Sequence, residues 1–344
     1  MRRARHRTLL GFWLGVAVLA GLLLMGSARR SHAGAPREGD LFVNLAGPRP
    51  LPGAGEMFPF LMRKAWGAMV GRNGAAKLVP YDRQALAHNP SVTWIGHATF
   101  LVRMDGVTFL TDPIFSDRAS PLAFAGPRRL VPPGVPLDQL PPLDFVTISH
   151  DHYDHADFPT IQALAARGVP FFVPLGLGAL VREAGGTATE LDWWQEARFG
   201  PVRIACVPAQ HFSGRTLTDG RQRLWAGWVV AGPTRRFYHA GDTGYFDGFR
   251  EIGSRLGPFD LAALPIGAYA PASIMHYVHM NPEEAIQAAL DLGTSTAVGM
   301  HYGTFDLTEE ALDEPPRRFH AEATRRALEP VDAWTLDIGE TRPW

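Results

Sequence analysis

The apolar, strand-prone run "FVTI" at residues 145–148 empties directly into "SHDHYDH" at 149–155, a loop with three histidines and two aspartates in seven positions. A run of that kind reads as a strand buried on both faces, and such strands belong to layered α/β folds. The chain around it alternates in the expected way. "FPTIQALAARG" and "LGALVREAG" read as helices, and "VPFFVP", "VRIACVPAQH", "RLWAGWVVAG", "TRRFYHAGD", "FDLAALPIG" and "STAVGMHYG" read as strands. Asp105-Gly106 between two apolar runs predicts a tight hairpin. "NPEEAIQAALDLG" predicts a helix capped by Asn281 and Glu284 and stopped at Gly293.

The histidine-rich loop calls for a metal. His150 and His152 are placed to turn toward one ion, and Asp154 and His155 toward a second, with imidazole and carboxylate donors suited to zinc. One loop does not complete two coordination spheres, but three further strand-like runs end in the missing donors: His211, Asp242 and His301. The expected first site is His150, His152 and His211, the second is Asp154, His155 and His301, and Asp242 bridges them. Two zinc ions so held would lower the pKa of a shared water and make it a nucleophile, so Asp154 and Asp242 are candidate catalytic residues as well as ligands. His97, Asp112 and His239 suit a supporting role, orienting the ligands and their loops.

Composition narrows the function further. With 33 Lys plus Arg, 34 Asp plus Glu and a net charge of -1, the chain has no general basic field, and no nucleic-acid partner is expected. The single cysteine, Cys206, lies in an apolar run and excludes an internal disulfide framework. The N-terminus reads differently: "MRRARHR" precedes an uncharged run of 18 residues, Leu9 to Gly26, and then "SARRSHAGA". That pattern predicts a signal peptide or membrane anchor over residues 1–35, and places the rest at the periplasmic or extracytoplasmic face of an inner membrane. Residues 36–80 read as a linker with an amphipathic, membrane-contacting stretch, "MFPFLMRKAWGAMV", and 81–344 as the hydrolase domain.

"SHDHYDH" is similar to the signature of the metallo-β-lactamase fold, an αβ/βα sandwich with a dinuclear site between two sheets. Together with "WIGHATFLVRMDGVTFLTDPIFSDRASP", "FVPLGLG", "ELDWW", "PAQH", "AGDTGY", "LGPFDLAALPIGAY", "NPEEA" and "HYGTF", it resembles the N-acyl-phosphatidylethanolamine-hydrolysing phospholipase D family over about residues 50 to 340. The resemblance implies the same seven ligands. It also implies that Tyr153 and His279 contact phospholipid or product, although Val278 stands where the animal enzymes typically carry a polar amide. The implied reaction is hydrolysis of an N-acyl phospholipid at a membrane lipid surface, giving phosphatidic acid and an N-acylethanolamine. Two other readings stay open at the level of sequence: a related di-metal lactonase or phosphodiesterase for a small soluble substrate, and a metal-binding module without turnover.

Overall fold

In a computed structural model, which describes residues 34–70, 74–326 and 331–344, two seven-stranded sheets face each other with helices on their outer sides. The first sheet has the order β16(Thr341–Pro343), β3(Ser91–Gly96), β4(Thr99–Met104), β5(Val107–Thr111), β6(Phe145–Thr147), β7(Phe171–Pro174), β8(Ala188–Leu191). The second runs β15(Asp332–Trp334), β14(Thr296–Met300), β13(Leu261–Pro265), β12(Arg236–His239), β11(Gly227–Ala231), β10(Val202–Val207), β9(Glu196–Phe199). A short hairpin, β1(Arg37–Glu38) and β2(Leu41–Phe42), precedes them. The helices are α1(Ala54–Val70), α2(Phe158–Ala165), α3(Gly178–Glu183), α4(Gly248–Leu256), α5(Ala272–Met275), α6(Pro282–Leu292) and α7(Glu314–Arg325).

Each sheet is mixed in the same way. β3, β4 and β5 pair antiparallel, and β5 to β8 pair parallel. β10, β11 and β12 pair antiparallel, and β12 to β15 pair parallel. It follows that β3, β5 and β6 share one direction, as do β10, β12 and β14, so each sheet brings several C-terminal strand ends to one edge. The β4–β5 turn is the predicted two-residue hairpin: Met104 pairs with Val107, and both Asp105 (φ 47) and Gly106 (φ 83) are left-handed, as a type I′ turn requires. α6 carries the expected capping box between Asn281 and Glu284 and a left-handed Gly293 at its C-cap.

Alternation along the strands divides the core. Trp94, Phe100, Phe109 and Phe145 point inward and join the large cluster between the sheets, where Phe109 stacks on Phe145 at 4.7 Å and meets Phe237 of the other sheet at 5.8 Å. Their neighbours Ile95, Leu101, Leu110 and Val146 point outward, where Ile161 and Leu164 of α2 and Val181 of α3 cover them. Cys206 is buried in the inter-sheet core, where burial pushes its thiol pKa well up.

The expected placement at the outward face of an inner membrane is corrected by this architecture. Among the described residues no helix is long and apolar enough to cross a membrane. The longest described helix, α1, has 17 residues and carries Glu56, Arg63 and Lys64; it would extend about 26 Å, short of a hydrocarbon core of about 30 Å. The apolar run Leu9–Gly26 that motivated the expectation lies outside the described residues.

Candidate metal centre

The polar loops at the shared edge converge. β3 ends beside His97, β5 beside Asp112, β6 two and three residues before Ser149 and His150, β10 four residues before His211, β12 three before Asp242, and β14 beside His301. Four overlapping groups of donor atoms result, each within 4.8 Å: His150, His152 and His211; His97, Asp154, His155 and His301; His150, His155 and Asp242; and His211, Asp242 and His279.

One buried carboxylate sets much of this geometry. Asp112 Oδ1 accepts from the Ser149 backbone N–H at 2.6 Å, and Oδ2 accepts from the Ser149 hydroxyl at 2.6 Å and from His155 Nδ1 at 2.8 Å. With its proton committed to Asp112, Ser149 Oγ accepts from His150 Nδ1 at 2.9 Å, which leaves the His150 lone pair on Nε2. His211 Nδ1 donates to the Val278 carbonyl at 3.0 Å, so its lone pair is also on Nε2. Ser149 thus links Asp112 to His150 through hydrogen bonds and so fixes a tautomer.

The consequence is a triangle of nitrogens. His152 Nδ1 lies 2.8 Å from His150 Nε2 and 3.2 Å from His211 Nε2. A single proton on His152 serves one of those two lone pairs, whereas a divalent cation among them satisfies all three nitrogens. The second group has the same character with more charge. Asp242 Oδ2 is 3.1 Å from both His155 Nε2 and His301 Nε2, and Asp154 Oδ2 is 3.5 Å from each. Despite the 3.1 Å approaches, His155 Nε2 and both ring nitrogens of His301 make no hydrogen bond, and neither does Asp242 Oδ1, although all are buried. Buried polar atoms of this kind are costly unless something binds them, and a pair of cations fits the set.

Asp242 stands between the groups, since its Oδ2 is also 3.9 Å from His150 Nε2 and 3.8 Å from His211 Nε2. It is delivered by a tight approach: Gly241 has φ +60, and a Cβ there would meet Ser149 Cβ at 2.5 Å. His239 braces this turn, with Nε2 donating to the Ala98 carbonyl at 3.0 Å and Nδ1 accepting from the Gly241 N–H at 3.2 Å. Opposite, His97 and His301 both hold left-handed backbone, with φ 56 and 64, and the His301 N–H donates to the His97 carbonyl. Such strain at non-glycine residues persists where surrounding contacts over-determine it.

Electrostatics separates the two groups. Burial, reinforced by neighbouring imidazoles, holds the pKa of His150 well below the usual histidine value. Burial does the same to His211, against the pull of Asp242. Burial also opposes a proton on His155 and His301, but Asp242 and Asp154 outweigh it, raising His155 well above the ordinary value and His301 to about 9. Burial likewise opposes charge on Asp154 and Asp242, and His155 and its neighbours overcome it, so both carboxyls lie well below the usual range. The second group therefore holds negative charge that draws in cations, whether protons or metal.

All seven residues expected as ligands meet here. Of the two expected substrate contacts, His279 joins the centre: it is buried, its ring is 5.1 Å from that of His211, and burial lowers its pKa to about 3. The Tyr153 hydroxyl instead donates to the Arg215 carbonyl at 2.8 Å, while the Arg215 guanidinium covers its ring at 4.0 Å. His97 stands where a supporting role places it, its Nε2 reaching Asp154 Oδ2 at 3.0 Å, and it also lies within the second donor group. Asn44 was not foreseen. This buried amide, far away in sequence, grips the His211 backbone on both sides, Nδ2 to the carbonyl at 2.8 Å and Oδ1 from the N–H at 3.0 Å; nothing in "LFVNLAG" signals it.

Two facing mixed sheets with such donors at one edge define a metal-dependent hydrolase of the metallo-β-lactamase fold, with an αβ/βα sandwich and a di-metal centre. Residues 108–302 match the β-lactamase superfamily domain, and the chain belongs to that superfamily. Within it, the chain is related to N-acyl-phosphatidylethanolamine-hydrolyzing phospholipase D proteins. It is 43% identical over 263 residues to N-acyl-phosphatidylethanolamine-hydrolyzing phospholipase D 1 of Caenorhabditis elegans, covering 72% of this chain and 74% of that one. It is 32% identical over 235 residues to the mitochondrial N-acyl-phosphatidylethanolamine-hydrolyzing phospholipase D of Saccharomyces cerevisiae, covering 66% of this chain and 50% of the yeast protein. Among solved structures, Igni18, a metallo hydrolase from Ignicoccus hospitalis, superposes with a TM-score of 0.57 at 25% identity, over 73% of this chain and 97% of that one.

Proposed function

We propose that this chain is a di-metal phosphodiesterase that hydrolyses N-acyl-phosphatidylethanolamine to phosphatidic acid and an N-acylethanolamine. The observation that carries the reading is the position of Asp242, whose single oxygen Oδ2 lies 3.1 to 3.9 Å from nitrogens of both donor groups. His150, His152 and His211 would hold one ion, Asp154, His155 and His301 the other, and Asp242 both. Two zinc ions so placed supply Lewis acidity toward a phosphoryl oxygen and an activated water. The protein's own residues provide the frame: Asp112 and Ser149 fix tautomers, His239 fixes the Asp242 turn, and His279 walls the centre on the side of His211.

The surroundings support a lipid substrate. α1 is tied to the segment after His301 by Arg63 to Glu309 at 2.7 Å and Lys64 to Asp306 at 2.6 Å. Its Phe58, Leu61 and Met62, three and four residues apart and so on one helical face, are all more than half exposed. An exposed apolar stripe on a helix tied to the segment after His301 suits acyl chains presented at a lipid surface. The names of the worm and yeast relatives point to the same substrate.

Product analysis tests the reading. Zinc-loaded protein is offered N-acyl-phosphatidylethanolamine, ordinary phospholipids, lactones and simple phosphodiesters, and products are identified by mass. Phosphatidic acid together with N-acylethanolamine is the expected pair. Lactone opening without any phosphodiester cleavage would refute the proposal.

A further inference from the structure

Residues 41–49, outside the matched superfamily domain, run past the metal centre and are held there by several tethers. The Phe42 N–H donates to the Arg221 carbonyl at 2.9 Å. Asn44 clamps the His211 backbone and also accepts from Trp225 Nε1 at 2.9 Å. Beyond it, the Tyr277 hydroxyl donates to the Gly47 carbonyl. Two residues later the guanidinium of Arg49 lies over the Phe212 ring, 4.2 Å from its centroid. Phe212 in turn packs edge-on against His152 at 4.6 Å and lies tilted against His211 at 4.8 Å. The tethers therefore hold a cation one aromatic ring away from two residues of the first donor group.

Arg49 is unlike the other cations nearby. Arg215 donates to the carbonyls of Asp151 and Ala156, Arg129 to those of Ile114 and Ser116, and Arg63 and Lys64 to carboxylates. Among the described residues Arg49 forms no ion pair, and its Nε is buried without a hydrogen-bond partner. Burial alone shifts its pKa downward, with no carboxylate opposing that shift. A guanidinium stacked on a ring keeps its plane and its fork of N–H donors fixed, ready for two oxygens of an anion.

We propose that Arg49 is a specificity-determining residue that donates to a non-bridging phosphate oxygen of the substrate at the metal centre. The proposal rests on the phosphodiesterase reading above. Its chemistry is shared by a lipid phosphodiester and by free phosphate, and the diester is the ligand to which we assign it.

The test compares full-length, zinc-loaded wild type with Arg49→Gln and Arg49→Lys. Calorimetry measures binding of dimethyl phosphate, a simple diester, and separately of inorganic phosphate, while steady-state assays with N-acyl-phosphatidylethanolamine give KM and kcat. Arg49→Gln is expected to weaken dimethyl phosphate binding about ten- to a hundredfold, the range of a charge-assisted hydrogen bond. It should raise KM similarly, hold kcat within about twofold, and leave zinc content and thermal midpoint unchanged. Arg49→Lys should recover part of the affinity, as a point charge without the fork. Unchanged affinity for dimethyl phosphate overturns the assignment, as does an effect confined to inorganic phosphate or one that follows from lost zinc. The binding arm still judges Arg49 if the wild type cleaves no phosphodiester, an outcome that would count against the proposed reaction alone.

Discussion

Buried carboxylates serve opposite ends in two regions of this molecule. At the metal edge, Asp112 is fully buried and gathers Ser149 and His155, while Asp242 is 4% exposed and keeps one oxygen without a hydrogen bond. On α7, Glu322 is also buried, but its carboxylate is satisfied by Arg325 Nε at 2.7 Å and Arg326 Nε at 2.6 Å. Asp112 spends its oxygens on orienting its neighbours, and Asp242 is left with donor capacity unspent beside other donors, which is what a catalytic cation needs. Glu322 spends all it has on local pairing. Burial of a carboxylate by itself therefore does not mark a site; what its oxygens leave over does.

The contrast breaks most readily at Asp242. Asn at this position keeps the shape but loses the negative charge needed to share two cations, so Asp242→Asn is expected to lower kcat on the order of a thousandfold or more. Circular dichroism should show a native fold. Turnover close to wild type at full zinc occupancy would remove Asp242 from its bridging place.

Asp112→Asn probes one layer out. The amide cannot accept all three of the hydrogen bonds that now end on the Asp112 oxygens, so the tautomers of His150 and His155 lose their support. Zinc affinity and turnover should fall about 10- to 100-fold, and stability by about 1–3 kcal/mol. Chelator competition and denaturant titration measure the two separately. A stability loss with unaltered zinc affinity would make Asp112 a packing residue like any other.

The sequence exposed the metal edge because its chemistry is local in kind though not in position. Histidines and aspartates crowd one loop, and His211, Asp242 and His301 each follow an apolar strand, so residue type and strand ends together nearly define the centre. What the sequence hid depends on pairing across the fold. Asn44 acts through the backbone of a residue 167 positions away, and His97 acquires its contact with Asp154, 57 positions on, only when β3 and β6 are assembled into one sheet. Nothing in the sequence distinguishes Ser149 from an ordinary loop serine, yet its hydroxyl connects Asp112 to His150. The membrane placement failed for a different reason: it leaned on a terminal hydropathy pattern, which says nothing about the helices of the folded domain.

Glu322→Gln offers the smallest effect and the control that the contrast requires. Glu322 is covered, but largely by arginines that stand in water, Arg325 being 67% exposed, so solvent screens the pairing and its worth is about 0.5–1 kcal/mol at most. Hydrogen bonds from Arg325, followed by those from Arg326 against the opposing effect of burial, pull the Glu322 pKa to about 2. An unfolded glutamate titrates near 4.3. Because the folded value is the lower one, the unfolded chain binds the proton more readily, and the stabilisation is present in full above about pH 4.3 and fades as pH falls toward 2. Arg326 also donates to Gln287 of α6 at 2.7 Å, so part of what is lost is the seam between α6 and α7. The variant should melt about 1–3 °C below wild type at pH 7, converge with it as pH approaches 2, and keep full zinc content and turnover throughout. A loss of zinc or activity in Glu322→Gln would show the two regions to be coupled and would undo the distinction drawn between them.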